Sequence, residues 1–351
     1  INDVEKLKDQ ISSLKELEKI KDDELKSIIS KIPNMPSDDV KVGLNDTDNI
    51  EFKKWGNKPK FSFKPKHHFE IGEKLGLMDF NVATKLSGSR FVVLKGILAK
   101  LERALALFML DKHTLENGYT EMYVPILVKD QSLFGTGNLP KFSEDLFTAG
   151  ESHWLIPTAE VPLTNLVRDQ LLDVKNLPIR VTAYTPCFRS EAGAAGKDTR
   201  GLKRQHQFGK VEIVSITSPE ESDKEHLFLL NTAEKILQDL ELPYRVCELC
   251  SGEVGFASKK TFDLEVWIPS AKSYMEIASV SNWGAYGLIA AISLIKNQNL
   301  LVSVEEEMEI INVLVGLGVV DGMSGKPESF VDGFDLDSNS KILQNLHSFL
   351  N

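Results

Sequence analysis

The sequence has no run of about 18 consecutive apolar residues, which excludes an ordinary membrane-spanning helix. Its three cysteines, Cys187, Cys247 and Cys250, are too few for a disulfide framework. A reducing compartment is therefore expected, the cytoplasm or the mitochondrial matrix. Cys247-x-x-Cys250 has the spacing of half a zinc site, but no second pair follows it. Two small residues beside a strand are the simpler expectation. There is no initiator methionine, and the opening Ile-Asn-Asp-Val-Glu-Lys lacks the zones of a signal peptide, so residues upstream of Ile1 are expected. No arginine follows Arg245. Positive charge is in the minority: 41 Lys and Arg against 51 Asp and Glu leave a net charge of −10, which excludes a uniformly basic nucleic-acid binder.

What charge there is falls in blocks. Residues 41–66 hold seven lysines against three acids, and residues 189–210 hold six basic residues against two acids. Residues 283–351 hold three lysines against nine acids. Phosphate contacts are local and screened beyond about 10 Å, so an acidic chain with such patches still holds a polyanion.

Residues 1–32 predict one long helix. Val4, Leu7, Ile11, Leu14, Leu25, Ile28 and Ile32 follow alternating 3,4 spacing, interrupted at Glu18 and Lys21, as in a partial coiled-coil arm. No second heptad segment is present to pair with it. An amphipathic helix lying on the body is the alternative. Ile32-Pro33-Asn34-Met35-Pro36 stops the helix. Residues 33–66, polar and broken by Gly43, Gly56, Pro59 and Pro65, read as a linker. From His67 the pattern predicts helices at 67–77, 98–116, 160–170 and 220–240. Strands are expected near 91–94, 122–124, 154–156, 179–185, 208–216, 244–249, 261–268 and 274–278. Strands in runs with few intervening helices imply an antiparallel sheet and an α+β fold.

The densest chemistry lies between Cys187 and Glu212. Two strand-like segments flank a loop with Gly193, Gly196 and Gly201, which costs entropy to order. Arg189 and Arg204 offer fork-shaped donors suited to phosphate oxygens. Glu191 and Glu212 leave carboxylates beside them for an amine, a hydroxyl or Mg²⁺. Residue types alone leave two alternatives open: an anion-binding loop, or a solvated charged hairpin.

This stretch resembles motif 2 of the class II aminoacyl-tRNA synthetases, in their seryl branch. Further blocks match that branch in order: Ser87–Phe91 (SGSRF), Leu133–Phe142 (LFGTGNLPKF), Leu155–Pro162 (LIPTAEVP) and Gly255–Trp267 (GFASKKTFDLEVW). The resemblance covers residues 1–282. It implies a tRNA-binding helical arm at 1–32, a linker at 33–66, and a class II catalytic domain at 67–282, an antiparallel sheet flanked by helices. It also implies ATP-dependent activation of serine to seryl-adenylate, transfer to tRNA(Ser), Mg²⁺ as cofactor and a homodimer. The dimer would form through the helix carrying Leu101, Leu105, Phe108 and Met109.

Carried over residue by residue, Thr158, Ala159 and Glu160 would hold the serine amino group, and Glu212 would accept from its hydroxyl. Arg189 would bind the serine carboxylate and the α-phosphate. Ser190, Glu191, Arg204, Gln205, Phe208, Glu276, Ile277, Ala278 and Ser279 would surround ATP. Among these, Arg204 would reach the terminal phosphate and Phe208 would stack on adenine. Glu276 and Ser279 would lie near the metal.

After Asn282 the resemblance stops. The branch's motif 3, with its arginine over ATP, has no counterpart here. Residues 283–351 predict three helices with turn-rich links. The segments 281–287 (SNWGAYG), 318–322 (GVVDG) and 331–333 (VDG) resemble the C-terminal end of the D-glutamate cyclase-like family. A small tail without arginine argues against an independent enzyme there. Two functions compete: an aminoacyl-tRNA synthetase, or a catalytically impaired relative with a binding or structural role.

Overall fold

The computed structural model describes residues 2–192 and 201–284. The glycine-rich part of the 193–200 loop and the three tail helices expected after Trp283 lie outside those residues.

In chain order the helices are α1 (Asn2–Ile29), α2 (His68–Lys74), α3 (Phe80–Ser87), α4 (Ile97–Glu116), α5 (Asp130–Gly135), α6 (Glu160–Thr164) and α7 (Ser222–Asp239). The strands are β1 (Ile50–Trp55), β2 (Met78–Asp79), β3 (Val93–Leu94), β4 (Thr120–Glu121), β5 (Leu127–Val128), β6 (Phe147–Ala149) and β7 (His153–Leu155). They continue with β8 (Ile179–Phe188), β9 (Gln207–Ile216), β10 (Tyr244–Glu248), β11 (Lys260–Ile268) and β12 (Ser273–Asn282).

Helix α1 belongs to a unit separate from Pro36–Tyr286. Its seam residues Val4, Leu7, Ile11 and Leu14 are exposed, as expected of a heptad helix with no partner among the described residues.

In the body, β1-β10-β11-β12 form one antiparallel sheet, and β4-β8-β9 form another. All pairings within these two sheets are antiparallel except the short β4–β8 contact. The long β8–β9 hairpin pairs Ile179 with Ile216 at one end and Phe188 with Gln207 at the other, bracketing the charged loop as the sequence predicts. Helix α7 lays Leu230 and Leu237 on a core of Tyr244, Val246, Phe262, Leu264, Val266 and Val280. It also reaches the other sheet, because Glu225 pairs with Arg180 of β8.

Several elements depart from the sequence reading: the strand expected near 122–124 is the short β4 at Thr120–Glu121, α3 and α5 form where no helix was expected, and two further departures bear on the site. Inside the stretch read as a linker, β1 pairs with β10, with a bulge at Phe52. Three contacts hold it there. Trp55 stacks on Tyr244 at 5.8 Å, Phe52 meets Phe262 at 5.1 Å, and Lys53 covers the buried Glu234 carboxylate at 2.9 Å. The bulge interrupts the apolar alternation, so the strand pattern was obscured. The helix expected at 160–170 is a single turn, α6, followed by a 3₁₀ turn at Asn165–Val167. Asn165 ends it by donating from Nδ2 to the carbonyls of Val161 and Ser132 at 2.8 and 2.9 Å.

Candidate active site

The segment around Thr158 is locked from two sides. Ala159 and Leu163 enter one apolar cluster with Val124, Val181 and Ala183. Val161 enters another with Val128, Leu133, Leu146 and Ile156. A close-packed interior transmits that rigidity to the polar residues between them. Thr158 is itself buried. Its hydroxyl donates to Glu212 Oε2 at 2.5 Å and accepts from Lys210 Nζ at 3.1 Å. Lys210 Nζ also lies 2.6 Å from Glu212 Oε2, closing a triangle.

Phe208, Lys210 and Glu212 alternate along β9, so all three face the same side of the sheet. The charges perturb one another. Burial first, and the Glu212 carboxylate second, push Glu160 up to about 7, with Lys210 and Arg189 opposing. Burial alone would lower the Lys210 ammonium, but Glu212 and Glu160 outweigh it and hold it above its ordinary value.

Arg189 follows the end of β8. Its backbone N–H donates to His206 O at 3.0 Å, and its carbonyl accepts from His206 Nδ1 at 2.9 Å. Its Nε donates to Pro157 O at 3.3 Å, and its guanidinium sits 5.3 Å from the Phe208 ring centre. Ser190 is turned away toward a neighbouring loop, bonding Glu144 O through its hydroxyl and Asp145 O through its N–H. Glu191 takes a left-handed φ of 51° and pairs with Arg204 at 3.1 Å. Gly201, at φ 92°, lets the loop pass His68, whose Nε2 accepts from Leu202 N–H at 2.8 Å. A Cβ on Gly201 would come within 2.6 Å of that nitrogen.

Two cavities adjoin here. The larger, about 950 Å³, is bordered by Arg204, Gln205, Phe208, Glu276 and Ile277. The smaller, about 290 Å³, is lined by Asn138, Phe142, Asp145, Pro157 and Thr158. Arg189 and Glu191 line both. Glu160, Lys210 and Glu212 line neither; Lys210 and Glu212 join the smaller one through Thr158. Ala278 packs against the hydrophobic core.

Ser279 Oγ lies within hydrogen-bonding reach of Asp263 Oδ1 (2.6 Å) and Glu276 Oε1 (3.1 Å). Burial pushes Asp263 up to about 7; Ser279 opposes this and Glu276 adds to it. Such crowded oxygen ligands suit a hard divalent cation. No cluster of three or more His, Cys, Asp or Glu ready to hold a metal occurs among the described residues. A Mg²⁺ ion here would therefore depend on phosphate oxygens for the rest of its shell. Cys187, Cys247 and Cys250 are all buried and free.

The domain family described as the tRNA synthetase class II core domain (G, H, P, S and T) matches residues 143–300. The chain is 56% identical over 286 residues to a serine–tRNA ligase of Paramagnetospirillum magneticum, covering 82% of this chain and 68% of that one. The chain belongs to the serine–tRNA ligase family. A Brucella canis serine–tRNA ligase is 55% identical over 81% of this chain and 66% of its own. The chain thus spans about two thirds of the length of the curated relatives it matches. The crystal structure of a Pyrococcus horikoshii seryl-tRNA synthetase complexed with ATP superposes with a TM-score of 0.74 at 34% identity. It covers 82% of this chain and 68% of that one. A Naegleria fowleri cytoplasmic serine–tRNA ligase in complex with AMP gives 0.72 at 32% identity, covering 80% and 61%. The fold is accordingly the class II synthetase fold. A D-glutamate cyclase-like C-terminal family matches residues 270–347, so the tail resembles that family as its sequence suggests.

Sequence reasoning missed Lys210. The signal was present: its i, i+2 spacing from Phe208 and Glu212 on a strand puts it on their face. It also missed Asp145 and His206, whose side chains hold the turn after β8 by bonding the backbone of Ala192 and Arg189, contacts that no motif displays.

Proposed function

We propose that the chain activates serine with ATP to seryl-adenylate and transfers the seryl group to tRNA(Ser). The observation that carries this is the position of Arg189 in the wall shared by the two cavities. The smaller cavity, with Thr158 and the Glu212 behind it, suits serine. The larger, with Phe208, Arg204 and Glu276, suits ATP. Arg189 is then the residue a serine carboxylate and an α-phosphate would both meet.

Adenylation is in-line attack of a carboxylate oxygen on the α-phosphorus, with pyrophosphate leaving. It needs positioning and cationic stabilisation and no protein nucleophile. Glu160 offers a charge for the ammonium, Glu212 an acceptor for the hydroxyl, and Arg189 and Arg204 the cations. Glu276 and Ser279 would hold Mg²⁺, whose chemistry is to neutralise developing phosphate charge. A buried acceptor left unpaired is costly, so a site reading the hydroxyl through Glu212 rejects alanine. A homodimer through α4, a cytoplasmic location and tRNA contact through α1 belong to the same reading.

A second reading, an impaired relative with a binding role, is favoured by one observation: no arginine follows Arg245. Among the described residues, only Arg189 and Arg204 bring guanidinium groups to the cleft. Serine-dependent pyrophosphate exchange decides between them. A rate above ~1 s⁻¹, ordinary for an enzyme, supports the ligase. Binding of a seryl-adenylate analogue with barely detectable exchange supports the impaired relative. Failure to bind the analogue overturns both.

A further inference from the structure

We propose that Lys210 is a specificity-determining residue, whose ammonium makes the hydroxyl subsite electrically neutral and so excludes amino acids with a cationic side chain. This rests on the reading of the smaller cavity as the serine site. The geometry is the triangle already described: Lys210 Nζ lies 2.6 Å from Glu212 Oε2 and 3.1 Å from Thr158 Oγ1, and Thr158 Oγ1 lies 2.5 Å from Glu212 Oε2.

The charges divide by role. A serine zwitterion presents an ammonium, a carboxylate and a neutral hydroxyl. Glu160 answers the ammonium and Arg189 the carboxylate. Glu212 would then be an uncompensated second anion, and it would favour a second ammonium over a hydroxyl. Lys210 cancels it. The pair still accepts a hydrogen bond through Glu212, because a carboxylate has about four lone-pair sites and the two contacts named here fall on one of its oxygens. A β-ammonium group arriving there would face the Lys210 charge at close range in a half-buried site, where like charges repel strongly.

The probe is L-2,3-diaminopropionate, which has serine's skeleton with an ammonium in place of the hydroxyl. Its non-hydrolysable sulfamoyl-adenosine conjugate and the seryl conjugate are titrated calorimetrically into the full chain. Four forms are compared: wild type, Lys210→Gln, Lys210→Met and Lys210→Arg. Gln keeps a donor toward Glu212 and Thr158 while removing the charge, and Met removes both, so two variants guard against one failing to fold. Wild type should prefer the seryl conjugate by about 10²-fold, the scale set by a mispaired buried charge. Lys210→Gln and Lys210→Met should narrow that preference by about tenfold or more, and both should bind the diaminopropionyl conjugate more tightly than wild type does.

A purely structural lysine would weaken both conjugates in parallel, and an unchanged ratio overturns the proposal. Lys210→Arg, which restores the charge, should recover the seryl preference; a preference as narrow as that of Lys210→Met would also overturn it. If wild type binds neither conjugate, the reading of the cavity as the serine site has itself failed, which is a different outcome from an unchanged ratio.

Discussion

Arg204 Nη1 lies 3.1 Å from Glu191 Oε2, so two residues proposed to meet ATP are paired with each other. The arginine side chain is 42% exposed, and pairs of that kind contribute only about 0–1 kcal/mol. A triphosphate carries more charge and would displace the carboxylate. Replacing Arg204 with Ala should therefore raise the Kd for ATP, because a charge-assisted hydrogen bond contributes about 1.5–3 kcal/mol. Calorimetric titration should show a loss of about tenfold or more, with serine-conjugate binding less affected. An unchanged Kd would remove Arg204 from the nucleotide site.

Serine recognition should depend on pH through Glu160. Its carboxyl, pushed up to about 7, is largely protonated below that value and ionised above it. An ammonium ligand needs the ionised form, so affinity should rise as pH increases from about 6 to 8. Below the pKa the dependence approaches tenfold per unit. Measuring the seryl-conjugate Kd across this range tests it, and Glu160→Gln should flatten the profile.

The bidentate pair between Arg180 and Glu225, at 2.6 and 2.8 Å, ties β8 to α7. Arg180 also stacks over Phe228 at 3.9 Å. Leaving one buried partner unpaired costs about 3–5 kcal/mol, so Glu225→Ala should lower the denaturant midpoint markedly. The double variant Arg180→Met/Glu225→Leu should lose less. Burial alone would raise the Glu225 carboxyl, but Arg180 outweighs it and holds it below 4.5. Its contribution is therefore full above about pH 4.5 and is lost as pH falls further. Glu225→Gln should show a flatter acid limb in pH-dependent unfolding.

Helix α4 buries Ala106, Leu110 and His113 against the body and leaves Ile97, Leu101 and Leu107 exposed. Of the residues expected on a dimer face, Leu101 is available, whereas Leu105, Phe108 and Met109 are half-buried. Light scattering at micromolar concentration should give twice the chain mass, and Leu101→Glu should shift it toward the monomer. A monomeric wild-type chain would contradict the assembly.

Several elements were legible from local rules. The β8–β9 hairpin follows from two apolar strand patterns around a charged glycine-rich loop, and α4 ends where Asn117-Gly118 supplies a left-handed turn, Gly118 at φ 71°. Motif order named Thr158, Arg189, Glu191, Arg204, Phe208 and Glu212 because each has a fixed place in a local pattern. Strand β1 was not legible: a bulge breaks its alternation, and its stabilising partners Tyr244, Phe262 and Glu234 lie far along the chain.

The sequence by itself determined the α+β class, the hairpin and the types of group available for chemistry, because these depend on neighbours within a few residues. Only the tertiary structure decided which groups meet. Thr158 and Glu212, 54 residues apart, share a proton donor and acceptor because two apolar clusters clamp the Thr158 segment beside β9. That clamp also brought Lys210 of β9 onto Thr158, and packing of the other sheet set Ala278 against its core. Charge compensation of this kind is set by distances across the fold. A linear pattern does not carry those distances.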